Sequence, residues 1–252
     1  MTDKNKEYVA VMLLGKVTDT QDTTGTVLEE HPVEVTEEQV KEAVLSFTGE
    51  YMQVPPMYSA LKVNGKKLCD LARAGVTVER QARPVQLYSI EIIKMELPRV
   101  CMRVRCSKGT YIRTLCQDIG EKLSCGACME SLLRTKVSEF CAQDALRLSE
   151  IEERVQKAAG QTPSEQWNAE MFDFIYAVDS VFLQYKKAVI CKEWNKLLYN
   201  GNRMKKDMFV SYQKDWEQQK VRIYDEEGRF IGIYEYSEIH GDYKPVKLFM
   251  EA

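Results

Sequence analysis

The densest run of polar, potentially reactive side chains in this 252-residue chain is CSKGTYIRT at 106–114. Gly109 permits a tight turn, and the residues after it read as a helix start. Free N–H groups and the positive end of the helix dipole collect at such a terminus and favour anions. Tyr111 and Arg113 stand two residues apart there. An aromatic ring beside a guanidinium suits stacking a base while holding a carboxylate or phosphate. Taken alone, the segment reads better as an ordinary strand, turn and helix with a core tyrosine and a surface arginine. A second pattern, CGAC at 125–128, has the spacing of half a zinc site. Zinc would need another such pair or well-placed histidines, and the two histidines, His31 and His240, lie far away in sequence. These cysteines are therefore expected to be small buried residues, with no metal.

Composition sets the frame for that chemistry. Apolar residues make up 44% and charged residues 29% of the chain, as in ordinary globular proteins. At about 150 residues per domain, the length suggests one or two domains. The longest apolar run, 9–14, is far short of the roughly 18 residues that suggest a membrane span. The first residues, MTDKNKE, carry no apolar stretch ahead of a cleavage site. The eight cysteines are scattered rather than set out as a secreted disulfide framework. A cytoplasmic location, with no membrane partner, is the expectation. Net charge is −3, but it is unevenly spread. Residues 54–136 hold 15 Lys+Arg against 7 Asp+Glu, while the remainder is acidic. A basic middle can be an electrostatic footprint for phosphates, or a set of solvated faces that never converge.

The elements around the reactive run follow from periodicity. YVAVMLL (8–14) reads as a buried strand, TDTQDTTG (18–25) as a polar loop of turn formers, and 26–35 as a second strand. Thr36 with Gln39 forms a capping-box pattern ahead of Val40, Ala43, Val44 and Phe47, one buried helical face, with Gly49 ending the helix. After Pro55-Pro56, a strand over 58–63 turns at Asn64-Gly65, and a short helix over 68–74 stops at Gly75. Residues 85–97 and 100–106 alternate as a strand pair around Pro98, and a helix follows over about 111–123. Ser149 with Glu152 is expected to cap another helix, and AAGQTPS (159–164 within it) reads as a linker. The tail predicts a short helix over 192–200, a hairpin over 221–234 and a last strand over 246–250.

The reactive run also carries a resemblance. CSKGTYIRT is similar to the signature of the TruB family of tRNA pseudouridine synthases. Further stretches agree in the same order: KEYVAVMLLG, TDTQDTTG, VPPMYSALKVNGKKLCDLARAG, GEKLSCGACMESLLRTKVSEF and VRIYDEEGRFIG. The resemblance implies an α+β fold, a mixed and mostly antiparallel sheet flanked by helices. It implies a catalytic core over 1–158 and a small β-rich, PUA-like RNA-binding domain over 180–252. The implied reaction is isomerisation of uridine to pseudouridine in the T-loop of tRNA, without a cofactor. The target base must leave its stack, so the site has to receive a flipped nucleotide. By motif, Tyr111 would lie against the flipped ring and serve as a base. Arg113 would hold the family's nucleophilic aspartate ionised, as a neighbouring opposite charge does. Tyr8 would contact the target nucleotide, Leu132 would lend an apolar or backbone contact, and Asp22 would support the cleft. Lys62, with Lys66 and Lys67, fits phosphate positioning. Without the resemblance, Tyr8 and Leu132 would be core residues, the lysines a solvated hairpin and Asp22 a turn former.

One departure bears on activity. The family's nucleophilic aspartate sits in a Gly-Thr-Leu-Asp-Pro type loop upstream of the strand that carries Tyr8. No aspartate here is followed by proline or preceded by Gly-x-Leu. The reading that follows is an N-terminally truncated chain, with Met1 an internal methionine taken as a start. Such a chain would leave Arg113 facing a missing partner, expose a sheet edge, fold only marginally and lack activity. The rival reading is a non-catalytic tRNA-binding or tRNA-folding protein, which in-frame codons upstream of Met1 would separate from the first. Nothing indicates oligomerisation, and a monomer is the default expectation.

Overall fold

Alternation of small and branched apolar residues in the N-terminal half builds one antiparallel sheet. The structure, a computed structural model, describes residues 5–160, 163–166 and 171–249. It divides into two units, Met1–Ala145 and Leu146–Ala252. In the first, the elements in chain order are β1 (Lys6–Leu14), β2 (Lys16–Thr18), β3 (Val27–Glu30), α1 (Glu37–Leu45), β4 (Gly49–Gln53), β5 (Lys62–Val63), β6 (Lys66–Lys67) and α2 (Leu68–Arg73). They continue with β7 (Arg83–Glu96), β8 (Arg99–Cys106), α3 (Ile112–Lys122), β9 (Ala127–Val137) and β10 (Phe140–Cys141). Six strands form one sheet in the order β10-β9-β1-β8-β7-β4, antiparallel at every pairing.

The two faces of that sheet differ because strand side chains alternate. Ala10, Met12 and Leu14 of β1 and Val100, Met102, Val104 and Cys106 of β8 point to one face. They pack there with Val40, Ala43 and Val44 of α1 and Ile112, Leu115, Cys116 and Ile119 of α3 in one continuous core. The intervening positions carry ion pairs across the other face, Arg99 with Glu130 and Arg103 with Glu91. An antiparallel sheet with one covered and one polar face needs no second helical layer.

The second unit holds α4 (Leu148–Ala159), β11 (Lys186–Val189), α5 (Asn195–Tyr199), β12 (Lys220–Tyr224), β13 (Phe230–Ser237) and β14 (Asp242–Leu248). Its four strands run β11-β12-β13-β14, with β11 parallel to β12 and the rest antiparallel. The core is rich in aromatics, with Phe209, Trp216, Tyr234 and Tyr243 buried among Ile190, Leu198, Met204 and Ile223. The α+β expectation holds, and among the described residues no helix is long and apolar enough to cross a membrane.

Several local expectations need correction. The second strand is four residues long and wholly exposed rather than spanning 26–35, because Pro32 lacks the N–H a ladder requires. α1 does carry the Thr36–Gln39 capping box, but it stops at Leu45, and Gly49, at φ +113°, opens β4 instead. The strand expected over 58–63 shrinks to β5, although Asn64-Gly65 makes its turn with both residues at positive φ. α4 begins at Leu148, and it is Glu150, not Glu152, that accepts the backbone N–H of residue 147, at 2.6 Å. This helix belongs to the second of the two compact units, which begins at Leu146. Residues 161 and 162 of the expected linker, and residue 250 of the last expected strand, lie outside the described residues.

Candidate active site and adjoining cavities

β8 delivers the chain to the turn 107–110, and Gly109 takes φ +81° there. Thr110 donates its hydroxyl to the Ser107 carbonyl at 3.0 Å, which tightens the turn. Tyr111 then occupies the position just before α3, in extended conformation. Its backbone is held by a side chain that periodicity did not single out. Gln53, 1% exposed at the end of β4, accepts the Tyr111 N–H at 2.8 Å and donates to the Tyr111 carbonyl at 3.0 Å. The same amide also donates to the Tyr51 hydroxyl, whose acidity is suppressed chiefly by burial. A signal for Gln53 was available: β4 alternates, so Gln53 falls on the buried side with Tyr51, where an amide must find partners.

Arg113, in the first turn of α3, ties three segments together. Its guanidinium bonds Asp22 Oδ2 at 3.0 Å, the Thr20 carbonyl at 3.3 Å and the Tyr58 carbonyl at 2.9 Å. Arg113 thus has a carboxylate partner in the 18–25 loop, one other than the nucleophilic aspartate expected from the resemblance. That loop is fixed from both sides. Thr23 N–H donates to the Met129 carbonyl at 2.9 Å and Met129 N–H to the Gln21 carbonyl at 3.0 Å, docking the loop along β9. Thr114, one residue after Arg113, donates its hydroxyl to Gln21 Oε1 at 2.8 Å.

Asp22 itself is fully engaged. Oδ1 accepts from the Thr20 hydroxyl at 2.8 Å, the Thr24 N–H at 3.1 Å and the Thr24 hydroxyl, while Oδ2 takes Arg113. Burial on its own would raise this carboxyl, but the hydrogen bonds from Thr24, Thr20 and Arg113 outweigh it and hold it below its ordinary value. An ionised acid with both oxygens engaged, three donors on Oδ1 and Arg113 on Oδ2, is suited to position Arg113.

Tyr8 and Leu132 lie on neighbouring strands and share a face: Ala10 of β1 pairs with Leu132 of β9, and Tyr8 with Arg134. The Tyr8 hydroxyl is raised in pKa mainly by burial. Leu132 remains 43% exposed and its neighbour Leu133 59% exposed. Lys62 sits on the β5–β6 hairpin, away from the Arg113–Asp22 pair in the chain, and lines a cavity of about 280 Å³. A larger cavity, about 400 Å³, lies against Tyr111 and the 107–109 turn and is walled by Gln53, Pro55, Leu61, Lys6, Arg83 and Lys108. Of the residues expected at the site, this cavity takes Tyr111. Cys125 precedes β9 and Cys128 lies within it, both thiols pushed up chiefly by burial; among the described residues, no group of side chains is arranged to hold a metal.

Residues 1–112 match the TruB family pseudouridylate synthase N-terminal domain, and residues 113–183 match the tRNA pseudouridylate synthase B C-terminal domain. The tRNA pseudouridine synthase B of Lachnoclostridium phytofermentans is 48% identical, over 99% of this chain and 81% of its own length. The Clostridium kluyveri protein of the same name is 37% identical, over 99% of this chain and 80% of its own length. Among solved structures, a Cbf5-Nop10-Gar1 complex aligns with TM-score 0.65 at 21% identity, over 100% of this chain and 67% of the other, which shows a shared fold. On these grounds the chain belongs to the TruB family of tRNA pseudouridine synthases, enzymes of the isomerase class.

Proposed function

We propose that the site acts on a uridine in the T-loop of tRNA and that the arrangement around Arg113 exists to hold a catalytic carboxylate. The supporting observation is the Arg113 guanidinium, fixed by Asp22 and two carbonyls at the first turn of α3, two residues from Tyr111. In this reading Tyr111 lies against the flipped uracil and takes a proton from it, Arg113 keeps the nucleophilic carboxylate ionised, and Tyr8 and Leu132 close on the nucleotide. Lys62 positions phosphate, and no cofactor takes part. The second unit serves as a PUA-like RNA-binding module, and the protein works as a monomer in the cytoplasm.

The 252-residue polypeptide, on this proposal, binds the RNA without isomerising it. None of its aspartates sits in the family's Gly-Thr-Leu-Asp-Pro loop, and Asp22 has no free oxygen with which to replace that residue. Losing a nucleophile costs several orders of magnitude in rate. A second reading, a tRNA-binding protein that acts without catalysis, shares the binding and differs in the reaction. Incubation with a T-loop transcript, followed by chemical labelling of pseudouridine and primer extension, tests the proposal. Binding without a labelled stop is expected. A stop at the T-loop uridine would sink the inactivity, and failure to bind the transcript would sink both readings.

A further inference from the structure

The two cavities adjoin, since Pro55, Leu61 and Arg83 line both. Together they run from Tyr111 and the 107–109 turn, past Arg83, to Lys62 and Arg80. Their walls combine apolar surface with cations. Lys6, Arg83 and Lys108 line the larger cavity, and Lys62 and Arg80 line the smaller one, against a single acid, Glu79.

Arg83 stands on the shared wall, and among the described residues its guanidinium has no hydrogen-bond or ion-pair partner. Other arginines of the same unit are engaged: Arg99 with Glu130, Arg103 with Glu91, Arg113 with Asp22. Arg80 holds the Pro55 carbonyl through Nη1 at 3.1 Å, but its buried Nε has no partner. A buried donor left open costs stability unless something fills the role. The Gln53 amide is already committed to Tyr111 and Tyr51, so it offers no reading of a base edge.

We propose that these adjoining cavities form one track for the single strand of RNA next to the target nucleotide, with Arg83 on a phosphate and the apolar wall of Pro55 and Leu61 under a base. The proposal rests on the reading that this chain binds RNA at the Tyr111 end of the molecule. Phosphate contacts supply affinity and register, and stacking tolerates any base, so the track is indifferent to the identity of the flanking nucleotide.

The test is binding of a fluorescent hairpin RNA carrying a tRNA T-loop, measured by anisotropy at several salt concentrations with the full chain. Arg83→Gln is expected to lower the slope of log affinity against log salt by about 0.7, the single-strand value for one phosphate contact, which is about fivefold in affinity near 0.1 M salt. Lys62→Gln should act in the same direction, while Lys41→Gln, on the exposed face of α1 and lining neither cavity, should leave slope and affinity unchanged. Replacing the flanking base with an abasic residue should weaken binding to the parent, and exchanging one base for another should not. A parent that binds while Arg83→Gln and Lys62→Gln both match it overturns the track alone. A parent that does not bind the hairpin overturns the underlying RNA reading. Uridine monophosphate binding that depends on Arg83 while hairpin binding does not would overturn the strand assignment in favour of a free nucleotide. Arg83 and Lys62 are exposed side chains, and thermal melts of both variants confirm that any loss is not unfolding.

Discussion

The two units surround their polar groups with different kinds of interior. In the first, the interior is aliphatic and sulfur-rich, and the polar groups that seat Tyr111 and Arg113 are tightly partnered: Gln53 makes three hydrogen bonds, and Asp22 is surrounded by donors, whereas Ser59 Oγ and Arg80 Nε stay open. In the second, the core is aromatic, and polar tips are buried with less support. Among the described residues, the hydroxyl of Tyr234 and the indole N–H groups of Trp194 and Trp216 have no hydrogen-bond partner. Aromatic rings contribute mainly through area and edge-to-face packing, as between Phe209 and Trp216 at 5.6 Å. The first unit therefore holds particular atoms in particular places, which a site needs. The second holds its shape through the packing of rings.

That contrast can be broken by substitution, and the largest effect is expected at Gln53. Gln53→Met keeps the volume but strands the Tyr111 N–H, and should destabilise the protein by about 3 kcal/mol in urea titrations. A loss below 1 kcal/mol would show that the clamp on Tyr111 is dispensable.

A smaller effect belongs to Asp22→Asn, which removes the ion pair with Arg113 while keeping the side chain's shape. About 1 kcal/mol is expected at neutral pH, because both partners are partly exposed. The sign with pH follows from the lowered carboxyl. The folded state binds the proton less readily than the unfolded one, so the parent's advantage is complete above the ordinary value of 3.8. It shrinks as the pH falls through the lower folded value. Stability curves of parent and variant should therefore run parallel from pH 7 to about 5 and converge below about pH 4. Curves that stay parallel to the acid limit would remove Asp22 as an ionised positioning residue.

The smallest effect is expected in the second unit. Tyr234→Phe deletes a buried hydroxyl with no partner, so stability should change by less than about 0.5 kcal/mol or rise slightly. Destabilisation as large as that of Gln53→Met would abolish the contrast between the units.

Much of the first unit was legible from local pattern. The alternation in β1, β7 and β8, the Thr36–Gln39 box and the positive-φ turn at Asn64-Gly65 each have causes within a few residues. β9 was not legible, although it pairs with β1 along nearly its whole length. Its residues 131–134 are all exposed, so no buried alternation marks them as a strand. β4 escaped for a related reason: five residues give too little pattern to separate a strand from a loop. At the site, Tyr111 and Arg113 stood out through a local motif. The role of Asp22 as the partner of Arg113 did not, because 91 residues separate them and Asp22 reads locally as a turn former.

Residue order by itself determined the things that depend on near neighbours: which segments extend or coil, where Gly109 allows the chain to turn, and which side chains at that turn could do chemistry. Packing alone decided which distant groups meet. The backbone of Tyr111 is seated by Gln53, 58 residues away, and Arg113 is neutralised by a loop docked on β9. The physical reason is that a hydrogen bond or ion pair is set by distance in space, and only the closing of the sheet brings these groups within reach.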